Sequence, residues 1–145
     1  ASGAYIDSRY GNKHAASGAN VSGQTTGVPK LSYALGMQYS WHAMGGHMAF
    51  NIDHAYRGAS RCNRDSQLQG TCQISPNFDV GTSQQRTDAR LDWSGQHFGV
   101  ALYVNNLFNK RYVTGVNNIS TSVLGTPFAS ISPPRMYGIE FRTNF

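Results

Sequence analysis

The C-terminal stretch, Pro134 to Phe145, alternates strictly between two kinds of side chain. Its large, mostly apolar set is Tyr137, Ile139, Phe141, Thr143 and Phe145, and its polar set is Gly138, Glu140, Arg142 and Asn144. Successive side chains of a strand point to opposite faces, so the pattern predicts a strand with one apolar and one charged face. In a soluble sandwich the apolar face would point inward. In a closed barrel it would face lipid, with the polar face lining the lumen.

Residues 31–41 show the same alternation most clearly. Their apolar set is Leu31, Tyr33, Leu35, Met37, Tyr39 and Trp41. Tyr33 lies near one end of this set, and Tyr39 and Trp41 lie near the other. Amphipathic rings at both ends of an apolar strand face are typical of the two interfaces of a bilayer. A soluble sandwich explains the alternation but not the aromatic ends, so the stretch favours a membrane barrel.

The whole chain, including the two stretches above, predicts six strands joined alternately by long and short connections. The predicted strands are 1–10, 31–41, 47–58, 82–93, 97–113 and 134–145. Short turns occupy 42–46 and 94–96, where Gly45 and Gly46 are expected to supply positive φ angles. Long loops occupy 11–30, 59–81 and 114–133. In outer-membrane barrels the long loops face outward, and an even number of strands returns the chain to its starting side.

The predicted strand 82–93 carries alternating charges along one face. These are Arg86, Asp88, Arg90 and Asp92, and the terminal strand adds Glu140 and Arg142. A dry core would penalise such charges heavily, whereas a watery lumen allows them to pair with their neighbours. We therefore predict that these six residues face the lumen. They form either a structural network of ion pairs or a contact surface for other molecules.

Several functional classes fit the sequence poorly. The net charge is +5, but the basic residues are scattered and form no nucleic-acid-binding motif. The five histidines show no ligand spacing, so no metal or other cofactor is expected. No nucleophile–base or paired-acid arrangement indicates an enzyme. Cys62 and Cys72 lie close together in a polar stretch and suggest a local disulfide formed in an oxidising compartment.

Two motifs near the C-terminus carry a family resemblance. The run Asn106-Leu107-Phe108-Asn109-Lys110-Arg111-Tyr112 resembles the Asn-Leu-Phe-Asp-Lys-Arg-Tyr signature in the penultimate strand of TonB-dependent outer-membrane receptors. The stretch from Pro134-Arg135-Met136-Tyr137-Gly138 to Phe145 resembles the final strand of that family. Asn109 departs from the usual Asp of the signature. The two motifs cover the last third of the chain, and the rhythm of strands and loops covers the remainder more loosely.

This resemblance implies a multi-pass protein of the bacterial outer membrane. Such receptors form a barrel of about 22 strands that is filled by a plug. They import a scarce nutrient, most often a ferric siderophore, with energy delivered by the TonB complex through the plug. Residues 1–145 would then supply about the last six strands of the barrel. The chain is accordingly expected to be a fragment, completed in outer-membrane lipid by an upstream barrel and plug portion after nicking or split expression.

The resemblance also assigns expected roles to individual residues. Tyr137, Ile139, Phe141 and Phe145 would form the C-terminal barrel-assembly signal, although packing against lipid alone explains the same pattern. Candidate cargo-binding residues on external loops are Arg57, Arg61, Arg64, Tyr112, Asn117 and Asn118. The loop arginines equally fit solvated charge, and the lumen charges equally fit contact with the plug. The alternative functions are the C-terminal part of a passive porin or autotransporter barrel, and a soluble all-β binding module.

Overall fold

The computed structural model describes residues 1–15, 18–60, 81–117 and 128–143. Within these ranges the chain is all-β and contains no helix. The strands are β1 (Ser2–Tyr5), β2 (Leu31–Ala43), β3 (Gly46–Arg57), β4 (Gln84–Ser94), β5 (Phe98–Asn105), β6 (Val113–Asn117), β7 (Phe128–Ile131) and β8 (Met136–Thr143). Six of them form one antiparallel sheet in the order β1-β2-β3-β4-β5-β8, and β6 pairs with β7 in a separate hairpin. The predicted all-β antiparallel architecture is therefore confirmed.

The register of the main sheet aligns the apolar sets of neighbouring strands. One row joins Trp41, Met48, Trp93, Val100 and Phe141, and a second joins Tyr39, Phe50, Leu91, Leu102 and Ile139. Because paired residues point to the same side of a sheet, these rows form one continuous surface. We call it the apolar face. The opposite surface, which carries the charged residues of β3, β4 and β8, is called the polar face.

Aromatic residues gather at the two ends of the apolar face. Tyr5, Tyr33, Tyr56 and Tyr137 lie toward one end, and Tyr39, Trp41, Trp93, Phe98 and Phe141 lie toward the other. Several rings touch: the centroids of Tyr33 and Tyr56 are 5.2 Å apart, those of Tyr39 and Trp41 5.4 Å, and those of Trp93 and Phe98 5.1 Å. Aliphatic side chains and Phe50 occupy the middle rows. The aromatic ends predicted for residues 31–41 thus extend across the sheet.

Short turns lie at one end of the sheet and longer connections at the other. The β2–β3 turn has positive φ at Met44 (53°) and Gly45 (68°), as a type I′ turn requires. The expectation that Gly46 supplies positive φ is wrong, because Gly46 is the first residue of β3. Glycine is required at position 46 because neighbouring atoms leave no room for a side chain. A Cβ there would lie 2.5 Å from the Ser94 carbonyl oxygen and 2.8 Å from Trp93 Nε1.

The connection between β1 and β2 contains no strand among its described residues, in keeping with the loop predicted for 11–30, and it folds back on itself as a paired arm. Its two sides are joined by isolated bridges between Arg9 and Thr25 and between His14 and Asn20. Backbone hydrogen bonds such as Tyr10 N to the Gln24 oxygen (2.9 Å) continue the pairing beyond the sheet. Val21 is buried within this arm, with 1% of its surface exposed.

Two predictions near the C-terminus are wrong. The strand predicted for 97–113 ends at Asn105, because Asn106 has a left-handed backbone conformation (φ 55°) that breaks the pleat. The loop predicted for 114–133 contains β7 and most of β6, paired from Val113 with Ile131 to Asn117 with Phe128. The chain therefore has eight described strands, of which six make up the main sheet.

Within the described ranges, no other element covers either face of the main sheet. Among the described residues, the buried apolar side chains are Ala15, Val21 and Ala101. By contrast, Tyr137 is 83% exposed and Phe141 76% exposed on the apolar face. In the described ranges β1 and β8 each pair on one side only, so the sheet is open at both edges.

Candidate functional site

Charged residues of the polar face form two clusters of ion pairs. Arg90 Nε donates to both carboxylate oxygens of Asp92, each at 3.0 Å, and Arg90 Nη2 donates to Glu140 Oε2. Arg142 Nη2 donates to the same Glu140 oxygen at 3.2 Å. Farther along β4, Arg86 Nε donates to Asp88 Oδ1 at 2.8 Å. All six residues predicted to face a lumen thus lie on one face and within two clusters.

Small residues on β5 allow side chains of β4 and β8 to contact each other across this face. Ala101 lies opposite Asp92 on β4 and opposite Glu140 on β8. It is 3% exposed, because the Arg90–Glu140 pair extends over β5 at this point. The next polar-face position toward the turn end is Gly99, opposite Ser94 and Arg142. A larger side chain at position 101 would obstruct the bridge that ties β8 to β4.

A concavity of about 420 Å³ lies beside this network. Each of β3, β4, β5 and β8 contributes polar residues to its lining, which consists of Asn51, Asp53, Asp88, Ala89, Arg90, Tyr103, Asn105 and Glu140. Asp53 and Asp88 stand directly opposite each other in the register. Like charges in such a pair repel, but Asp88 also receives hydrogen bonds from Arg86 and from the Asn106 backbone. The surface offers carboxylates, amides, a guanidinium and a phenol to a polar ligand.

Two glycines make room for side chains that shape the concavity. A Cβ at Gly36 would lie 2.6 Å from Asp53 Oδ1, and one at Gly138 would lie 2.5 Å from Tyr103 Oη and 2.7 Å from Tyr103 Cζ. The Tyr103 ring therefore lies over Gly138 on the neighbouring strand. An aromatic ring covering a strand glycine is a recognised device for stabilising sheets. Gly138 belongs to the Pro-Arg-x-Tyr-Gly motif. The contact with Tyr103 explains why this position of the motif requires glycine.

The Asn106 side chain organises the corner that follows β5. Only 5% of the residue is exposed. Its Nδ2 donates to the carbonyl oxygens of Lys110 (2.9 Å) and Pro133 (3.0 Å), while its Oδ1 accepts from Lys110 N (2.9 Å). Its backbone N donates to Asp88 Oδ1 at 2.8 Å. The side-chain amide of Asn106 thus joins the segment after β5 to the segment before β8, and its backbone N adds a bond to β4.

The two motif stretches are also bonded directly to each other. Asn109 Oδ1 accepts a hydrogen bond from the Arg135 backbone N at 3.0 Å. Asn109 has positive φ (50°), a conformation that Asn and Asp tolerate better than most residues. The Asp that is usual at this position of the signature could accept the same bond through its carboxylate. This structural role was not predicted from the sequence, where Asn109 was noted only as a departure from the usual Asp.

The candidate cargo-binding residues are distributed unevenly. Arg57 is exposed at the end of β3, opposite Ser32 and Gln84. Tyr112 lines a small cavity with Arg86, and its backbone pairs with Ser132. Asn117 is the last residue of β6. The remaining predicted residues lie outside the described ranges: Arg61, Arg64, Asn118, the Cys62–Cys72 disulfide and Phe145.

The described ranges contain no group of three or more His, Cys, Asp or Glu side chains placed to hold a metal ion. His54 instead contacts its cross-strand neighbour on the apolar face, where its Nδ1 lies 2.8 Å from Thr87 Oγ1. His42 and His47 stack edge to face at the turn end, with centroids 5.4 Å apart. No helix in the described part of the chain is long and apolar enough to cross a bilayer.

Comparison with protein-family models, with curated proteins and with solved structures finds no match to the chain. The features of the chain that bear on its function are therefore the two motifs and the chemistry of the two sheet faces.

Proposed function

We propose that the chain is part of a TonB-dependent receptor of the bacterial outer membrane, which imports a scarce nutrient, most often a ferric siderophore. The observation that carries the proposal is the contrast between the two uncovered faces of one sheet. The apolar face exposes large side chains on four of its six strands, including Tyr5, Met37, Tyr39, Leu102 and Phe141. The polar face carries paired charges.

Free energy favours lipid over water as the medium for the apolar face. Covering a Leu, Phe or Met side chain stabilises a protein by roughly 1.5–3 kcal/mol. Five such side chains therefore represent on the order of 10 kcal/mol, comparable to the whole net stability of a domain. A soluble module would need to bury this face, yet the described residues bury only small apolar side chains. Acyl chains would cover it directly.

The two open edges of the sheet support its completion by further strands. Unpaired backbone N–H and C=O groups are costly in lipid, where water cannot satisfy them. We propose that strands upstream of this chain pair with β1 and β8 and close a barrel. Its lumen would be lined by Arg90, Asp92, Glu140 and their neighbours. Residues 1–145 would then be the C-terminal part of that barrel, and a plug would occupy the interior.

The two motifs favour a receptor over a passive porin or autotransporter barrel. The hydrogen bond from Arg135 N to Asn109 Oδ1 connects the Asn-Leu-Phe-Asn-Lys-Arg-Tyr run to the Pro-Arg-x-Tyr-Gly run. Both motifs thus contribute to one corner of the sheet. This shared structural role explains why the two motifs occur in the same chain and in this order.

Uptake of radiolabelled ferric siderophore by iron-limited cells tests the transport proposal. Cells that carry the complete protein are expected to accumulate iron only when TonB is present, and cells lacking the protein should not accumulate it. Entry of small solutes that is independent of TonB would indicate a passive porin instead. Recovery of the folded protein without detergent would indicate a soluble binding module.

A further inference from the structure

We propose that Lys110, Arg111 and Arg135 form a binding surface for the phosphate of anionic lipid headgroups. We call these three residues the cationic corner. The inference rests on the proposed membrane location and goes beyond it by naming the lipid chemistry that one part of the rim recognises.

Hydrogen bonds bring the backbone segments of the cationic corner together. Asn106 Nδ2 donates to the carbonyl oxygens of both Lys110 and Pro133, so those two oxygens lie around a single nitrogen. Asn109 Oδ1 accepts from Arg135 N. Residues 109–111 and 133–135 are consequently neighbours, although they are far apart in sequence. The corner is built on a buried amide and does not depend on the conformation of a long loop.

The corner lies at the edge of the apolar face. Arg135 immediately precedes β8, whose Tyr137 and Phe141 belong to that face. Phe108 adds an aromatic side chain that is 65% exposed between β5 and Lys110. A cation next to exposed aromatic residues at the end of a lipid-facing strand is positioned for the headgroup region, where long basic side chains reach polar groups.

The charges of the corner are available to a ligand. Lys110, Arg111 and Arg135 are exposed, and within the described ranges no carboxylate lies within ion-pair distance of any of them. Arg86, Arg90 and Arg142 differ, since each pairs with Asp or Glu on the polar face. Three cations without a carboxylate partner among the described residues, beside an apolar surface, complement a phosphate attached to acyl chains better than they complement a soluble anion.

Native mass spectrometry of the complete protein, extracted from vesicles of phosphatidylcholine and phosphatidylglycerol, tests this surface. The wild type is expected to retain phosphatidylglycerol over phosphatidylcholine. The triple variant Lys110→Gln, Arg111→Gln, Arg135→Gln should lose this selectivity by about tenfold or more, because each surface cation contributes about a fivefold preference. These substitutions keep the backbone bond from Arg135 N to Asn109.

The matched control is Arg9→Gln, Lys13→Gln, Lys30→Gln, which removes the same charge from the β1–β2 connection. This control should retain the selectivity, and Arg135→Lys should retain most of it. Equal retention of phosphatidylglycerol by the corner variant and the wild type would overturn the proposal, as would an equal loss in the arm control.

The membrane function and the cationic corner are contradicted by different results. A protein that does not insert into phosphatidylcholine alone contradicts the membrane function, whereas insertion without headgroup selectivity contradicts only the cationic corner.

Discussion

At the scale of single residues, the structure gives roles to positions that appear unremarkable in the sequence. Asn106 is one of two adjacent asparagines, yet its buried side chain makes three hydrogen bonds that connect separate segments. Gly138 is a strand glycine whose missing side chain is replaced by the ring of Tyr103. The Asn106 bond to Pro133 and the contact of Gly138 with Tyr103 both join residues distant in sequence, so no local pattern could have indicated them.

Replacing Asn106 with alanine should lower the free energy of unfolding by about 2–4 kcal/mol. The change removes three hydrogen bonds worth about 1 kcal/mol each and places alanine in a left-handed conformation. Urea unfolding of the complete protein in detergent measures the effect. Asn105→Ala is the control, since Asn105 lines the open concavity and its loss should cost less than about 1 kcal/mol. Equal costs for the two variants would contradict the role of Asn106.

The contact between Tyr103 and Gly138 predicts a non-additive pair of substitutions. Gly138→Ala should destabilise the wild type by about 1–3 kcal/mol, because the new Cβ meets the ring. In a Tyr103→Ala background the same change should be neutral or slightly stabilising, since alanine suits a strand better than an uncovered glycine. A double-mutant cycle of unfolding free energies measures the coupling. Identical effects of Gly138→Ala in both backgrounds would show that the ring does not lie over Gly138.

At the scale of strands, the sequence predicted the central elements closely. The observed β2, β3 and β4 agree with the predicted strands to within two residues at each end. Their alternation is strict because each strand has two chemically different faces. The end of β5 was missed because Val104 to Val113 contains enough apolar residues to extend the pattern, while the break depends on the backbone of Asn106. The β6–β7 hairpin was missed because composition alone suggested a loop there.

The polar-face network could be predicted in its location but not in its partners. Alternation assigns Arg86, Asp88, Arg90 and Asp92 to one face, but adjacent charges on one strand suggest only local pairs. The bridge from Arg90 to Glu140 passes over Ala101 and joins strands that are not neighbours in the sheet. Only the strand order, with β5 between β4 and β8, brings these two residues together.

This bridge predicts that β8 depends on the charge of β4. Arg90→Glu and Glu140→Arg should each weaken the attachment of β8, because each places like charges across β5. Combining both changes should restore much of the attachment. Hydrogen exchange of the β8 amides in the assembled protein reports the effect, and Arg86→Glu is the control because Arg86 pairs with Asp88 away from β8. A double variant that exchanges as fast as either single variant would contradict the pairing.

At the scale of the whole molecule, one antiparallel sheet presents two incompatible surfaces. Its apolar face has aromatic residues at both ends and aliphatic residues between them, while its polar face has paired charges and a concavity. Of the two faces, only the polar face is well solvated by water. In the proposed barrel wall each face would have the medium it requires, and the proposed receptor function depends on the motifs at one corner of this sheet.

Tryptophan fluorescence in vesicles tests this orientation most directly, because Trp41 and Trp93 are the only two tryptophans of the chain and both belong to the apolar face. The complete protein is compared with its Trp41→Phe, Trp93→Phe variant, so that emission from other segments can be subtracted. We expect lipids with brominated acyl chains to quench the difference signal strongly and aqueous iodide to leave it nearly unchanged. Quenching by iodide without quenching by brominated lipid would place the apolar face away from the bilayer and contradict the account.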